Sequence, residues 1–258
     1  MISESLKMKE RSLKVVIPAR YGSSRLPAKP LLEINGKPVF WHVVQRVLEA
    51  GVSINDIILA TDDVKIEEKA KSLSIPVIMT ASGHISGTDR VHEVAIKLGW
   101  PDSTLVMNVQ GDEPLIPDML ICRLVEFATR NQHFSILTAA TKITRLSELH
   151  NCNVVKAIIT EYNEALYFTR APAPIDRDDP NDISAAKRHI GIYVYKVSAL
   201  KTICGLPESR LEKLEKLEQL RALSNGLSIG VMDYDGEIPH GIDTMEDYLV
   251  VKQKMEGL

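Results

Sequence analysis

Hydrophobic positions switch between two periods along the first half of the chain. Leu13-Lys-Val-Val-Ile-Pro18 is a short apolar run rich in β-branched residues, the pattern of a buried strand. A polar loop carrying Gly22 follows, and Pro38 opens a helix that runs to about Ala50, with Gly51 as its stop. Strands are then predicted over Asp56–Thr61, Ile75–Thr80 and Thr104–Val109, separated by helices over Asp62–Lys71 and Asp89–Leu98. Strands and helices alternating at such short intervals predict an α/β fold with a mainly parallel sheet.

The second half is less regular. Asn153–Thr160 and Ala165–Phe168 read as strands joined by a turn, and Arg188–Tyr195 as an alternating strand. Ala171–Ile183 is rich in Pro and Asp and reads as a loop. Leu211–Leu223 reads as one charged helix, and Tyr248 lies in a terminal helix. No internal repeat or composition shift marks a linker, so the pattern predicts a single domain over residues 13–258 with a β-rich insertion at about 150–225. Residues 1–12 mix Lys7, Lys9 and Arg11 with Glu4 and Glu10 and read as a flexible N-terminal extension, without the apolar core of a signal peptide.

Composition narrows the function classes. At 45% hydrophobic and 25% charged residues, the chain is too apolar to be disordered as a whole. Lys plus Arg number 31 against 34 Asp plus Glu, a net charge of −3, which argues against a dedicated nucleic-acid binder but leaves room for a local basic pocket. No apolar run is long enough for a membrane span. The three cysteines, Cys122, Cys152 and Cys204, have no CxxC spacing and are odd in number, as expected for reduced thiols in a cytoplasmic protein.

The densest chemistry is Pro18-Ala-Arg-Tyr-Gly-Ser-Ser-Arg-Leu-Pro-Ala-Lys-Pro30, just past the first predicted strand. Open α/β sheets bind ligands at that end. Arg20, Arg25 and Lys29 could meet the charge of a triphosphate, while Gly22, Ser23 and Ser24 let backbone N–H groups approach an anion. Neither the P-loop nor the GxGxxG fingerprint is present. The competing reading is a set of solvated surface cations. Asp112, past the Thr104–Val109 strand, and Asp243, before the last helix, could converge on a nucleotide-bound Mg²⁺. Alternatively, each caps a turn or a helix.

The chain resembles the 3-deoxy-manno-octulosonate (KDO) cytidylyltransferases. The resemblance runs from about Lys14 to Glu256 and rests on IPARYGSSRLPAKP at 17–30, GTDR at 87–90, NVQGDEP at 108–114, ALYFTRAPAP at 165–174, RHIGIYVY at 188–195, LEKLEKLEQLRAL at 211–223 and GIDT at 241–244. Ala28 stands where the family pattern has glycine, and Ile242 where it has valine; both changes lie outside the charged set.

The resemblance implies a Rossmann-like, three-layer nucleotidyltransferase fold. It implies transfer of CMP from CTP to KDO with Mg²⁺, and a homodimer in a Gram-negative cytoplasm that feeds lipopolysaccharide assembly. Carried over by motif, Arg20, Arg25, Lys29 and Asp112 form the catalytic set, and Asp112 and Asp243 ligate the metal. Ser86, Gly87, Thr88 and Arg90 lie near the nucleotide. Gln110, Arg170, His189, Glu212, Glu215 and Gln219 face the sugar acid, and the insertion serves sugar binding and dimerisation.

Plainer roles compete on the sugar side. Arg170 could order its loop by pairing with Asp176 or Asp178. Glu212, Glu215 and Gln219 share one stripe of the expected helix, which could equally be a solvated face laced by Glu212–Lys216. His189 alternates with Ile190 and Ile192 as a core histidine would. Rival functions are the same chemistry on 8-amino-KDO or a sialic acid, and a non-catalytic nucleotide-sugar sensor.

Overall fold

A computed structural model describes residues 13–22, 26–84 and 86–257. In chain order its elements are β1 (Leu13–Ala19), β2 (Glu33–Ile34), β3 (Lys37–Pro38), α1 (Val39–Glu49), β4 (Ile57–Thr61), α2 (Val64–Ser72), β5 (Val77–Met79), α3 (Gly87–Lys97), β6 (Leu105–Asn108) and α4 (Asp118–Arg130). They continue with β7 (Ile136–Lys142), α5 (Leu146–His150), β8 (Lys156–Ile159), β9 (Ala165–Thr169), β10 (Lys187–Lys196), α6 (Val197–Gly205), α7 (Arg210–Glu215), α8 (Gln219–Ser224), β11 (Ile229–Asp233) and α9 (Met245–Glu256). Among the described residues no helix is long and apolar enough to cross a membrane, and Cys122, Cys152 and Cys204 are all thiols.

The chain divides into two compact units. One comprises the described residues of Met1–Cys122, Lys196–Leu200 and Ile238–Leu258; the other comprises Arg123–Tyr195 and Lys201–Glu237.

In the first unit the strands lie in the order β5-β4-β1-β6, all parallel. Val15, Val16 and Ile17 at its centre are fully buried, as expected for a strand with neighbours on both edges and helices over its faces. The mainly parallel α/β architecture read from the alternation of elements is present here. Helix starts follow side-chain capping: Asp63 accepts from the amides of Lys65 and Ile66 at α2, and Ser86 and Asp89 form a capping box at α3. That box starts α3 two residues before the expected Asp89. Asn35 and Gly36, both at positive φ, turn β2 into β3.

One apolar cluster bears directly on the site. Leu26, Ile34, Val39, Ile242, Tyr248 and Val251 are buried together. They bring the loop after β1, the β2–β3 hairpin, the segment before α9 and α9 itself into one packed body. Tyr248 Oη donates to the carbonyl of Glu33 at 2.6 Å, which fixes α9 on the hairpin.

In the second unit β11 pairs parallel with β7, and β7 pairs antiparallel with β10, whose register shifts between Ile190 and Tyr193. β8 pairs with β10 and with β9, both antiparallel. Leu211–Leu223 is not one helix. It breaks at Lys216, which adopts the left-handed conformation at φ 53°, so α7 and α8 are separate and the expected stripe of Glu212, Glu215 and Gln219 does not continue into α8.

Candidate active site

The loops at the carboxyl ends of β1 and β6 and the segment before α9 enclose a cleft of about 310 Å³ in the first unit. It is lined by Pro18, Arg20, Gly22, Lys29, Pro30, Gly87, Gln110, Gly111, Asp112 and Asp243. Seven of the residues expected to carry chemistry therefore meet in one place: Arg20, Gly22, Lys29, Gly87, Gln110, Asp112 and Asp243. Ser23, Ser24 and Arg25 lie outside the described residues.

The local backbone explains the convergence. The Ala28 amide donates to the Tyr21 carbonyl at 2.9 Å, closing the loop, and Ala28 is left-handed at φ 56°. Lys29 and Pro30 then start a tight 3-10 turn, Lys29–Leu31, which buries the lysine. Across the cleft, a Cβ on Gly111 would stand 2.5 Å from the Pro18 carbonyl oxygen, so only glycine lets this chain cross so close to the end of β1. The Ile242 amide donates to the Asp112 carbonyl at 2.8 Å and ties the two acid-bearing loops together.

Lys29 sits between the acids. Its Nζ lies 2.5 Å from Asp112 Oδ2, 2.5 Å from the Ile242 carbonyl and 3.4 Å from Asp243 Oδ1. The lysine side chain is 9% exposed, whereas those of Asp112 and Asp243 are 32% and 52% exposed, so solvent reaches both carboxylates. Asp243 does not cap α9. Thr244 does, in a capping box with Asp247, whose carboxyl is pushed up by burial but held below its usual range by hydrogen bonds from Thr244 and the Asp243 amide. Because one ammonium reaches both carboxylates, the pair can share one cation. Two hard oxygen donors suit Mg²⁺ once phosphate oxygens and water complete its shell. Among the described residues no group of three or more His, Cys, Asp or Glu could hold a metal by itself.

Gly87 opens α3 at the cleft, where a helix N-terminus favours an anion. The Ser86 hydroxyl is used in the capping box, and Thr88 is buried. Arg90 is fully buried and committed to Asp62, at 2.9 Å, and to Thr80. Its Nε, Asp62 Oδ1 and Asn108 Oδ1 are buried without a hydrogen-bond partner among the described residues. Asp62 was not singled out from the sequence, which gives no sign of its pairing with a residue 28 positions away.

The remaining expected residues belong to the second unit. Arg170 does not pair with Asp176 or Asp178. Its Nε donates to the Glu215 carbonyl at 2.6 Å and its Nη1 to the Cys152 carbonyl at 2.9 Å. The Glu215 carboxylate accepts from the Thr169 hydroxyl at 2.8 Å and the Arg170 amide at 2.9 Å. Lys156, fully buried, donates to the carbonyls of Asn151, Val154 and Arg170, and burial lowers its pKa.

Glu212 accepts from Arg221 Nη2 at 2.6 Å, from Arg221 Nε at 2.9 Å and from the Ser209 amide at 3.1 Å. Its carboxylate therefore joins the two helices, and in place of the Glu212–Lys216 pair of the competing reading the structure has Glu212–Arg221. Gln219 is buried with its Nε2 unpartnered among the described residues. His189 Nε2 lies 3.0 Å from the Thr138 hydroxyl, with the rings of Phe168 and Tyr193 at 5.0 and 5.3 Å. Burial pulls the imidazole pKa down to about 3, so it is neutral in the folded protein, and raises that of the Tyr193 phenol. Tyr193 was missed, although period-two spacing from His189 along β10 could have found it.

A parallel sheet with a cation-lined cleft at its strand ends and two convergent carboxylates is the arrangement in which open α/β proteins bind ligands. Known proteins narrow this further. The family model described as Cytidylyltransferase matches residues 14–229. A 3-deoxy-manno-octulosonate cytidylyltransferase 2 from Paraburkholderia phytofirmans is 43% identical over 245 residues, covering 94% of this chain and 93% of that protein. A 3-deoxy-manno-octulosonate cytidylyltransferase from Cellvibrio japonicus is 43% identical over 253 residues, covering 95% and 98%. A solved structure of a CMP:2-keto-3-deoxy-manno-octonic acid synthetase complexed with CTP superposes with a TM-score of 0.88 at 36% identity, covering 95% of this chain and 99% of that one. The chain belongs to the cytidylyltransferase family.

Proposed function

We propose that this protein transfers CMP from CTP to the anomeric hydroxyl of KDO, releasing CMP-KDO and pyrophosphate, and that it works with Mg²⁺. The observation that carries the reading is the meeting of Lys29, Asp112 and Asp243 beside Arg20 and Gly87 in one cleft, on a chain 43% identical to KDO cytidylyltransferases.

In this reading the hydroxyl oxygen attacks the α-phosphorus. The new O–P bond forms as the bond to the bridging oxygen breaks, pyrophosphate leaves, and the hydroxyl proton passes to solvent. Magnesium held by Asp112 and Asp243 would supply Lewis-acid neutralisation of the phosphate oxygens and a lowered pKa for the hydroxyl. Arg20 and Lys29, with Arg25, neutralise charge growing on the pyrophosphate. The N-terminus of α3 at Gly87 holds the nucleotide, and the Gln110 amide faces the sugar. On the sugar side, Arg170 Nε and Nη1 donate to carbonyls, and Nη2, without a partner among the described residues, would meet the carboxylate. Neutral His189, the Tyr193 phenol and Gln219 Nε2 are groups that can pair with sugar hydroxyls.

The cytoplasm and lipopolysaccharide assembly are the expected setting, and a homodimer the expected state. Exposed Leu166, Leu211 and Leu214 in the second unit are apolar surface that a second copy would cover. The test is pyrophosphate release with CTP, KDO and Mg²⁺, each omitted in turn, with UTP and 8-amino-KDO in parallel. Release that needs all three is the expected result. Release with another 2-keto sugar acid but not KDO would overturn the substrate, and CTP binding without any release would favour a sensor. Light scattering of the same sample reads the dimer.

A further inference from the structure

The Lys29 ammonium spends its whole hydrogen-bonding capacity on the acid side of the cleft. An ammonium has three N–H donors and no acceptor. Here the three acceptors around Nζ are Asp112 Oδ2, the Ile242 carbonyl and Asp243 Oδ1, at 2.5, 2.5 and 3.4 Å. No proton is left for a phosphate oxygen, yet the side chain lines the same cleft as Arg20 and Gly87. The two carboxylates it bridges are those placed to share a divalent ion.

We propose that Lys29 is a resident counter-cation: in the metal-free protein it holds Asp112 and Asp243 together, and it gives them up to the divalent ion as it turns to the triphosphate. The inference rests on the reading of the two aspartates as the metal site. Its physical basis is that two carboxylates drawn together repel unless a cation lies between them. Lys29 supplies that cation from the chain itself, carried on a tight turn between Ala28 and Pro30. The ammonium is buried, whereas the carboxylates are partly exposed, so an incoming ion meets oxygens already gathered but already paired. Metal and nucleotide then favour one another, because each stabilises the arrangement in which Lys29 has left the acids. The arrangement also discourages a metal ion from binding alone, before there is a nucleotide to transfer.

The experiment reads metal binding without turnover. Mn²⁺ alone, with no nucleotide or sugar, is titrated into the unsubstituted protein, Lys29→Gln and Lys29→Met, and free Mn²⁺ is followed by electron paramagnetic resonance. Lys14→Gln, which removes the same charge from the ion pair with Asp56, controls for net charge. Lys29→Gln keeps a donor for the Ile242 carbonyl should the methionine variant fail to fold. The expected result is Mn²⁺ binding about tenfold tighter in the Lys29 variants and unchanged in Lys14→Gln, a coupling of ordinary size. The Lys29 variants should also melt lower without metal and gain more from Mn²⁺ than the unsubstituted protein. Damage to the site would weaken binding instead, so equal or weaker binding in the Lys29 variants overturns the proposal and leaves the metal site standing. No Mn²⁺ binding in any protein overturns both.

Discussion

Gly111 shows how one missing side chain positions another. Its backbone crosses the end of β1 so closely that an added Cβ would sit 2.5 Å from the Pro18 oxygen, and backbone cannot yield as a flexible side chain can. Asp112 follows directly, with its carbonyl bound to the Ile242 amide. Gly111→Ala is therefore expected to cost about 1–3 kcal/mol in a urea melt, the usual range for overpacking. It should also lower kcat for pyrophosphate release by about a hundredfold through a misplaced carboxylate. Unchanged kcat would mean that the position of Asp112 does not depend on this crossing. His189 carries a pH signature of its own. Burial lowers its pKa from 6.5 to about 3, so between those values the unfolded chain holds a proton that the folded one does not. Stability then falls as pH drops through that window. His189→Gln removes the titration while leaving an amide to face Thr138. The melting temperature of this variant should fall less steeply from pH 6.5 to 3 than that of the unsubstituted protein, and parallel curves would contradict the lowered imidazole pKa.

Among the elements, the joint between α7 and α8 departs most from its sequence pattern. Leu211–Leu223 holds neither Gly nor Pro, so its heptad-like spacing reads as a single helix. The break is tertiary: Thr169 and Arg170 draw on the Glu215 carboxylate and carbonyl, Lys216 turns left-handed, and Arg221 folds back onto Glu212. Glu212 and Arg221 side chains are 8% and 12% exposed, so Glu212→Ala would strand a nearly buried guanidinium at a cost of about 3–5 kcal/mol. A Glu212→Met, Arg221→Met double variant should recover most of that in a urea melt and keep KM for KDO near the parent value. A tenfold rise in KM would mean that the Glu212–Arg221 pair also serves the sugar. The same competition between local pattern and packing explains the strands missing from the sequence reading. β7 buries Ala139 and Ala140, small residues of weak strand signal, and β11 carries Gly230 flat against the Phe134 ring. β1, β4 and β6 were legible because burial on both faces leaves near-continuous apolar runs.

Over the whole molecule, the site's chemistry was legible and its pairings were not. Arg20, Lys29, Asp112 and Asp243 announce themselves by type and by their place after strands or before a helix. That Lys29 bridges acids 83 and 214 positions away depends on topology and on the cluster around Ile242, which no local window contains. The same topology bears on how the chain unfolds. Neither compact unit is one continuous stretch: the first is assembled from three segments and the second from two. Neither can therefore come apart without disturbing the connections of the other, and a single cooperative transition is expected. The cleft belongs to the first unit alone. CTP with Mg²⁺ at about a hundred times its Kd adds ~2.7 kcal/mol to the folded state. For a chain of this size that raises the melting temperature by about 5–10 °C. Scanning calorimetry should show the whole endotherm move together, with the calorimetric enthalpy equal to the van't Hoff enthalpy. If the endotherm instead splits, with one component shifted and one left in place, the units unfold independently, and the stabilisation by nucleotide stops at the boundary of the first.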